Sequence, residues 1–261
     1  MAENPIHVEI NGDIATVRLN RPKKFNALDG PMFTELHDAM YRLGFDDAIR
    51  VVIVTGEGRA FCGGGDLAAI QSSDSERVDR GLWHLAGKFH EGIREIRAMG
   101  KPVIAAINGP AAGGGLSLAL ACDMRIMADN AFLKIGYIEN ALSIDGGGSF
   151  SLPRLIGLSR AIEIAFLDEK ISAVRALELG LVSRIVPADE LPKATLTLAN
   201  RLAEMPTGAL ARAKRLLSAS FDNSLSEQLD LERKAISEAV VTDEAREGMA
   251  AFLEKRRPKY R

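Results

Sequence analysis

The chain has 261 residues, 47% of them apolar and 26% charged, with a formal net charge of −2. That balance suits one large domain, or a core with an appendage, and gives no global electrostatic reason to expect nucleic acid or an anionic membrane as partner. Two cysteines, four histidines without metal-ligand spacing and no apolar run near the roughly 18 residues of a membrane span point to a metal-free cytoplasmic protein with no membrane partner.

"IHVEI" and "IATVRL" flank Asn11-Gly12-Asp13, a hairpin signal. A helix is expected over "LDGPMFTELHDAMYRL". Pro31 suits its first turn, and Phe33, Leu36, Met40 and Leu43 keep helical spacing. Val51, Val52, Ile53 and Val54 read as a buried strand ending at Thr55-Gly56, and "RAFCGGGDL" follows. The next segment, residues 75–100, is a long amphipathic pattern stopped by Gly100. "KPVIAAINGP" returns as strand, and a second triplet in "NGPAAGGGLSL" opens a further helix. "DMRIMAD" and "AFLKIG" are short strands. Strand, loop and helix thus alternate through the first half, which argues for an α/β class.

The second half is mainly helical. Ser159 and Ser172 are candidate helix starts, Gly180 a stop, and "LVSRIV" a short strand before Pro187. From Leu191 onward the pattern is helical, with Ser224 and Glu227 spaced as a capping box. A soft boundary near 199–206 divides a core, 1–199, from a helical C-terminal region, 200–261, which must pack on something because no low-complexity linker precedes it. The basic ending "EKRRPKYR" is a solvated terminus or a cluster meeting an anion or a neighbouring subunit.

No GxSxG elbow, no GxxxxGK[ST] phosphate loop and no G-x-G-x-x-G fingerprint occurs. Two glycine triplets, each after an apolar strand, remain. A helix starting directly after glycines presents unpaired N–H donors and the positive end of its dipole. Two such donors converging on one oxygen would stabilise charge developing on a carbonyl, whereas either triplet alone reads equally as a tight turn.

The order of motifs resembles the crotonase superfamily, the enoyl-CoA hydratase/isomerase group, nearly end to end. The motifs are "NRPKKFNAL", "GRAFCGGGDL", "KPVIAAINGPAAGGGLSLALACDMRIMAD", "LPRLIG", "ALELGLVSRIV" and "EGMAAFLEKRRPKY". The resemblance implies a crotonase-like spiral of repeated β-β-α units with a helical C-terminal oligomerisation region forming a trimer or a dimer of trimers. It also implies an acyl-CoA thioester as substrate, with no other cofactor. The oxyanion N–H groups would be those of Gly65 and Gly114. Lys23, Lys24, Ala27, Ala60, Gly63, Asp66 and Leu67 would line the adenine and pantetheine path, although Asp66 fits a loop-capping role as well.

Similar hydratases hold water with two glutamates, at positions that here carry Ser117 and Tyr137. A lone serine hydroxyl is a poor base, and tyrosine is mostly protonated at neutral pH. A carboxylate does occur at Asp145 in "SIDGGGSF", the position where isomerising members carry an aspartate; otherwise it caps the following helix. Glu139 is the second candidate. The expectation is an isomerase in which Gly65 and Gly114 stabilise an enolate while Asp145 moves a proton from C2 to C4 of a 3-enoyl-CoA, or a related ring isomerase. The alternatives are a hydratase whose water is held by Asp145, Glu139 or Ser117, and a non-catalytic acyl-CoA-binding homologue. Trp83, Phe89, Ile93, Phe150 and Phe252 form the acyl pocket or belong to the core.

Overall fold

The computed structural model describes residues 4–72 and 77–260. Strands β1 (Ile6–Asn11) and β2 (Ile14–Leu19) pair antiparallel across the expected turn. Helix α1 (Gly30–Phe45) starts at Asp29, whose side chain accepts the Met32 N–H at 3.1 Å. Its Phe33, Leu36, Met40 and Leu43 are buried as their spacing demands. β3 (Val51–Gly56), buried along its whole length, runs parallel to β2. After the first glycine loop come α2 (Leu67–Ser72) and the long α3 (Val78–Ala98). Met99 ends α3, one residue before the expected Gly100 stop, and the expected first residues of that helix, 75 and 76, lie outside the described residues.

Each following turn of chain repeats one pattern. β4 (Val103–Ile107) leads to β5 (Ala111–Ala112) and α4 (Gly114–Ala121). β6 (Met124–Ala128) leads to β7 (Phe132–Lys134), then to α5 (Gly148–Ile156) and α6 (Leu158–Leu167). β8 (Ile171–Ser172), α7 (Ala173–Glu178) and β9 (Arg184–Val186) complete the set. The larger sheet has the order β1-β2-β3-β4-β6-β9, parallel from β2 onward, and the smaller β5-β7-β8. Cys62 extends the smaller sheet through a parallel bridge to Ala111, so β3, Cys62 and α2 trace the same large-sheet, small-sheet, helix path. This is the expected spiral of β-β-α units.

The chain then becomes helical: α8 (Leu191–Ala203), α9 (Thr207–Ala219), α10 (Leu225–Ala239) and α11 (Asp243–Leu253). α8 lies against β2, β3, β4 and β6 and runs unbroken through residue 199, burying both Ala199 and Ala203. α9 is docked by Lys214, whose Nζ reaches Asp123 and the Ile96 carbonyl at 2.9 Å each. Ser172 caps α7, Gly180 follows it at φ +77°, and Ser224 with Glu227 forms the capping box. Ser159 does not start a helix. Gly157, at φ +81°, ends α5 and caps α6 at once, which leaves Ser159 inside the first turn. Among the described residues no helix is long and apolar enough to cross a membrane.

Candidate active site

The loop after β2 is stitched to the first glycine loop by one buried side chain. Asn26 sits at φ +57°, with its Nδ2 donating to the Ala60 carbonyl at 2.8 Å and the Glu57 carbonyl at 3.0 Å, while its Oδ1 accepts the Arg21 N–H at 2.9 Å. Ala60 is therefore buried and held by its carbonyl. Arg21 donates to the Ala27 carbonyl and meets both Asp29 and Asp66 at 3.0 Å; Lys24 reaches Asp66 at 2.9 Å. These cations, Lys24 foremost, hold the Asp66 carboxyl down at about 2. Asp66 also accepts the Ala69 N–H, so it caps α2 while clamping the two loops together. Gly63 donates its N–H to the Phe25 carbonyl at 2.8 Å. Lys24, Ala27, Ala60, Gly63 and Asp66 thus share one neighbourhood, with Lys23 and Leu67 exposed at its rim.

The direction of the Gly65 N–H follows from the pairing pattern. Leu28 and Gly65 form a parallel bridge in which Leu28 N–H donates to the Gly64 carbonyl at 2.7 Å and Asp66 N–H donates to the Leu28 carbonyl at 2.8 Å. In such a bridge Leu28 uses both of its own groups, and the Gly65 N–H faces away from it. Gly114 is the first residue of α4, where the helix supplies no acceptor for its N–H. Gly64, at φ +101°, lies against the second loop, and a Cβ on Gly113 would stand 3.6 Å from its Cα. Each donor is therefore one residue beyond the point where the loops touch. Gly115 makes this approach possible, since a Cβ there would lie 2.2 Å from the Cys62 carbonyl oxygen. Burial keeps the Cys62 thiol protonated, pushed up to about 12.

Asp145 stands beside this pair of loops. Phe89 links them: a Cβ on Gly114 would lie 3.5 Å from its ring, and one on Gly146 only 2.3 Å. Helix α5 takes no side-chain cap, so Asp145 is free of the capping role that its position before the helix allowed. Its backbone carbonyl accepts the Ser117 hydroxyl at 2.6 Å and the Tyr137 hydroxyl at 3.4 Å. Its Oδ1 lies 2.5 Å from Nε2 of His90, and both side chains are partly exposed, at 34% and 39%. Tyr137 is held by burial as a protonated phenol, pushed up to about 12. Asp168, itself buried, fixes the Tyr137 segment by accepting the N–H groups of Gly136, Ile138 and Glu139 at 2.6, 3.1 and 3.2 Å.

Glu139 stands elsewhere, 62% exposed and paired with Lys134 at 2.6 Å. Of the aromatic and aliphatic pocket candidates, Phe89 and Ile93 are buried, Phe150 is partly exposed, and Trp83 and Phe252 face outward. Sequence reasoning missed His90, Arg21, Asn26 and Asp168. His90 carried no signal, because its partner lies 55 residues away in the chain. Among the described residues no cluster of His, Cys, Asp and Glu could hold a metal ion.

The sequence model of the Enoyl-CoA hydratase/isomerase family matches residues 9–261. The chain is 36% identical to the 1,2-epoxyphenylacetyl-CoA isomerase of Escherichia coli K12, over 97% of this chain and 96% of that one. It is 31% identical to 4-chlorobenzoyl coenzyme A dehalogenase-1 of Arthrobacter sp, over 97% and 92%. The crystal structure of an enoyl-CoA hydratase from Polaromonas sp. JS666 superposes with a TM-score of 0.93 at 38% identity, covering 98% of this chain and 99% of that one.

Proposed function

The chain belongs to the enoyl-CoA hydratase/isomerase family of acyl-CoA enzymes, and from that premise we propose that it is an enoyl-CoA isomerase using Asp145 as its base. This reading is supported by Asp145 setting a carboxylate beside the two glycine loops, while the two positions that hold glutamates in similar hydratases carry a serine committed to the Asp145 carbonyl and a phenol kept protonated. In the proposed reaction the Gly65 and Gly114 N–H groups bind the thioester oxygen. Asp145 removes a proton from C2 of a 3-enoyl-CoA, giving a dienolate whose charge those donors stabilise. Asp145, partly exposed and able to exchange its proton with solvent, then delivers a proton to C4, the double bond moves to C2–C3, and atoms balance without water. Lys23 and Lys24, with Ala27, Ala60, Gly63, Asp66 and Leu67, form the coenzyme A path in this reading, and Glu139 a rim position. Exposed apolar side chains on the last helices, among them Leu225, Leu229, Ile236 and Phe252, support a homo-trimer or dimer of trimers.

A second reading is favoured by the His90 contact. A carboxylate beside an imidazole is also the arrangement of a nucleophile and its base. Asp145 Oδ would attack an electrophilic carbon of the acyl group, form an ester and expel a leaving group. His90 would then take a proton from water as that water adds to the ester carbonyl, releasing a hydroxylated product and restoring Asp145 with one oxygen from solvent. The similarity to a protein named as a 4-chlorobenzoyl coenzyme A dehalogenase supports considering this path.

Incubation with a 3-enoyl-CoA, a 2-enoyl-CoA and a halogenated aryl-CoA, with products weighed, separates the readings. An isobaric 2-enoyl product supports the isomerase. A product from the 2-enoyl substrate heavier by one water contradicts it and supports hydration. Halide release with solvent oxygen appearing in Asp145 after a single turnover supports the nucleophilic reading, and His90→Gln then traps the ester on the protein.

A further inference from the structure

We propose that the cavity beyond His90 and Asp145 is an acyl subsite for a distal carboxylate, so that the substrate is the mono-thioester of a dicarboxylic acid. The inference rests on the reading that the acyl group enters beside Asp145. A cavity of about 1130 Å³ opens between α3, α5 and α9, with His90 and Gly147 at one end. Ile93 and Phe150 give it an apolar wall suited to methylenes.

Four arginines stand in the same lining. His90, Arg94 and Arg97 follow one stripe of α3, and the helical rise sets Arg94 about 6 Å and Arg97 about 10 Å further along the helix than His90. Arg212 and Arg215, one turn apart on α9, line the same cavity. The other charged residues here are already matched. Lys214 is held by Asp123 at 2.9 Å, and Asp222 faces Arg154 at 3.7 Å. Glu244, near Arg212, accepts the Gly208 N–H at 3.1 and 3.2 Å and makes no ion pair with Arg212. Among the described residues the side chains of Arg94, Arg97, Arg212 and Arg215 have no hydrogen-bond or ion-pair acceptor within the chain.

Arg97 and Arg212 are half-buried and Arg94 and Arg215 exposed, so a neutral acyl tail would leave all four guanidinium groups to water alone. A carboxylate answers that lack, since a guanidinium fork binds it through two parallel hydrogen bonds. The coenzyme A phosphates are a poor source of the anion, because in the proposed pose they lie beyond the thioester on the Lys23 and Lys24 side.

The test is calorimetric binding of two saturated thioesters of equal carbon count to the whole protein at physiological salt, one ending in a methyl group and one in a carboxylate. Both carry the same coenzyme A, so its phosphates cancel. The carboxylated ligand is expected to bind roughly ten- to a hundredfold tighter. Arg94→Gln, Arg97→Gln and Arg215→Gln should each lower its affinity far more than that of the methyl-ended ligand, and Arg94→Lys should keep part of the preference. Equal affinities, or a preference that survives all three glutamine variants together, overturns the subsite; an acidic segment of a second copy filling the cleft would give the first result. If the preference stands while no 3-enoyl-CoA is converted, the subsite survives and the isomerase reading falls. Conversion without preference means the reverse.

Discussion

Replacing Asp66 by asparagine tests whether the clamp between the loop after β2 and the first glycine loop is electrostatic. The Asp66 side chain is only 8% exposed and meets Lys24 at 2.9 Å and Arg21 at 3.0 Å. Those contacts hold its carboxyl at about 2, against the usual value of about 3.9 in an unfolded chain. A lowering of that size corresponds to about 2–3 kcal/mol before solvent screening. Lys24 is 56% exposed, so solvent screening reduces the expected contribution to roughly 1–2 kcal/mol. Folding lowers this pKa, so the stabilisation is fully present above the unfolded value near 3.9 and is lost as pH falls toward about 2. Denaturant unfolding of the wild type and Asp66→Asn, stepped from about pH 7 to about pH 2, reads both numbers. The variant is expected to be weaker by roughly 1–2 kcal/mol at neutral pH, with the difference closing over the last acidic steps. Equal stability at neutral pH, or a deficit of the same size at every pH, would refute the electrostatic reasoning and leave only shape.

Gly115→Ala places a Cβ 2.2 Å from the Cys62 carbonyl oxygen and must push α4 away from the first loop. A displacement of about 1 Å at the Gly114 N–H should cost roughly a hundredfold in turnover, seen in steady-state kinetics alongside a lowered Tm. Asp168→Ala removes the acceptor of three N–H groups around Tyr137. It should destabilise by roughly 1.5–3 kcal/mol, measured by thermal or denaturant unfolding, and hydrogen exchange should rise first at residues 136–139. Tyr137→Phe should leave the pH dependence of turnover unchanged across about pH 6–10, because the phenol, raised to about 12 by burial, stays protonated there; the loss of a rate limb in that range would show that Tyr137 titrates as a base.

Patterns that repeat locally were readable from the chain. The Gly12 hairpin, the Asp29-capped α1 with its buried Leu36 and Met40, and the Ser224–Glu227 capping box each depend on residues within a turn or two of one another. Ser159 misled because a favourable cap residue was outcompeted by Gly157, whose left-handed backbone had already set the helix start. The glycine loops could be marked as places of close approach. That Gly65 presents its N–H outward required the Leu28 pairing, which joins residues far apart in sequence. The same holds for His90 against Asp145 and for Arg21 and Lys24 against Asp66. An isolated histidine on a helix stripe carries no mark of its partner until the spiral brings α3 beside α5. Conversely, Glu139 lay near the expected base in sequence, and its pairing with Lys134 at the surface is set by the turn Asp168 imposes.

The most direct test of the central claim is solvent exchange at C2. A 3-enoyl-CoA is incubated with the protein in deuterium oxide and followed by proton NMR, for the wild type and Asp145→Asn. With Asp145 as the base, the C2 proton signal is lost well above background, deuterium enters at C2 or C4, and Asp145→Asn lowers the rate roughly 10²- to 10⁴-fold. Exchange at the background rate in the wild type, or exchange undiminished in Asp145→Asn, would contradict that role.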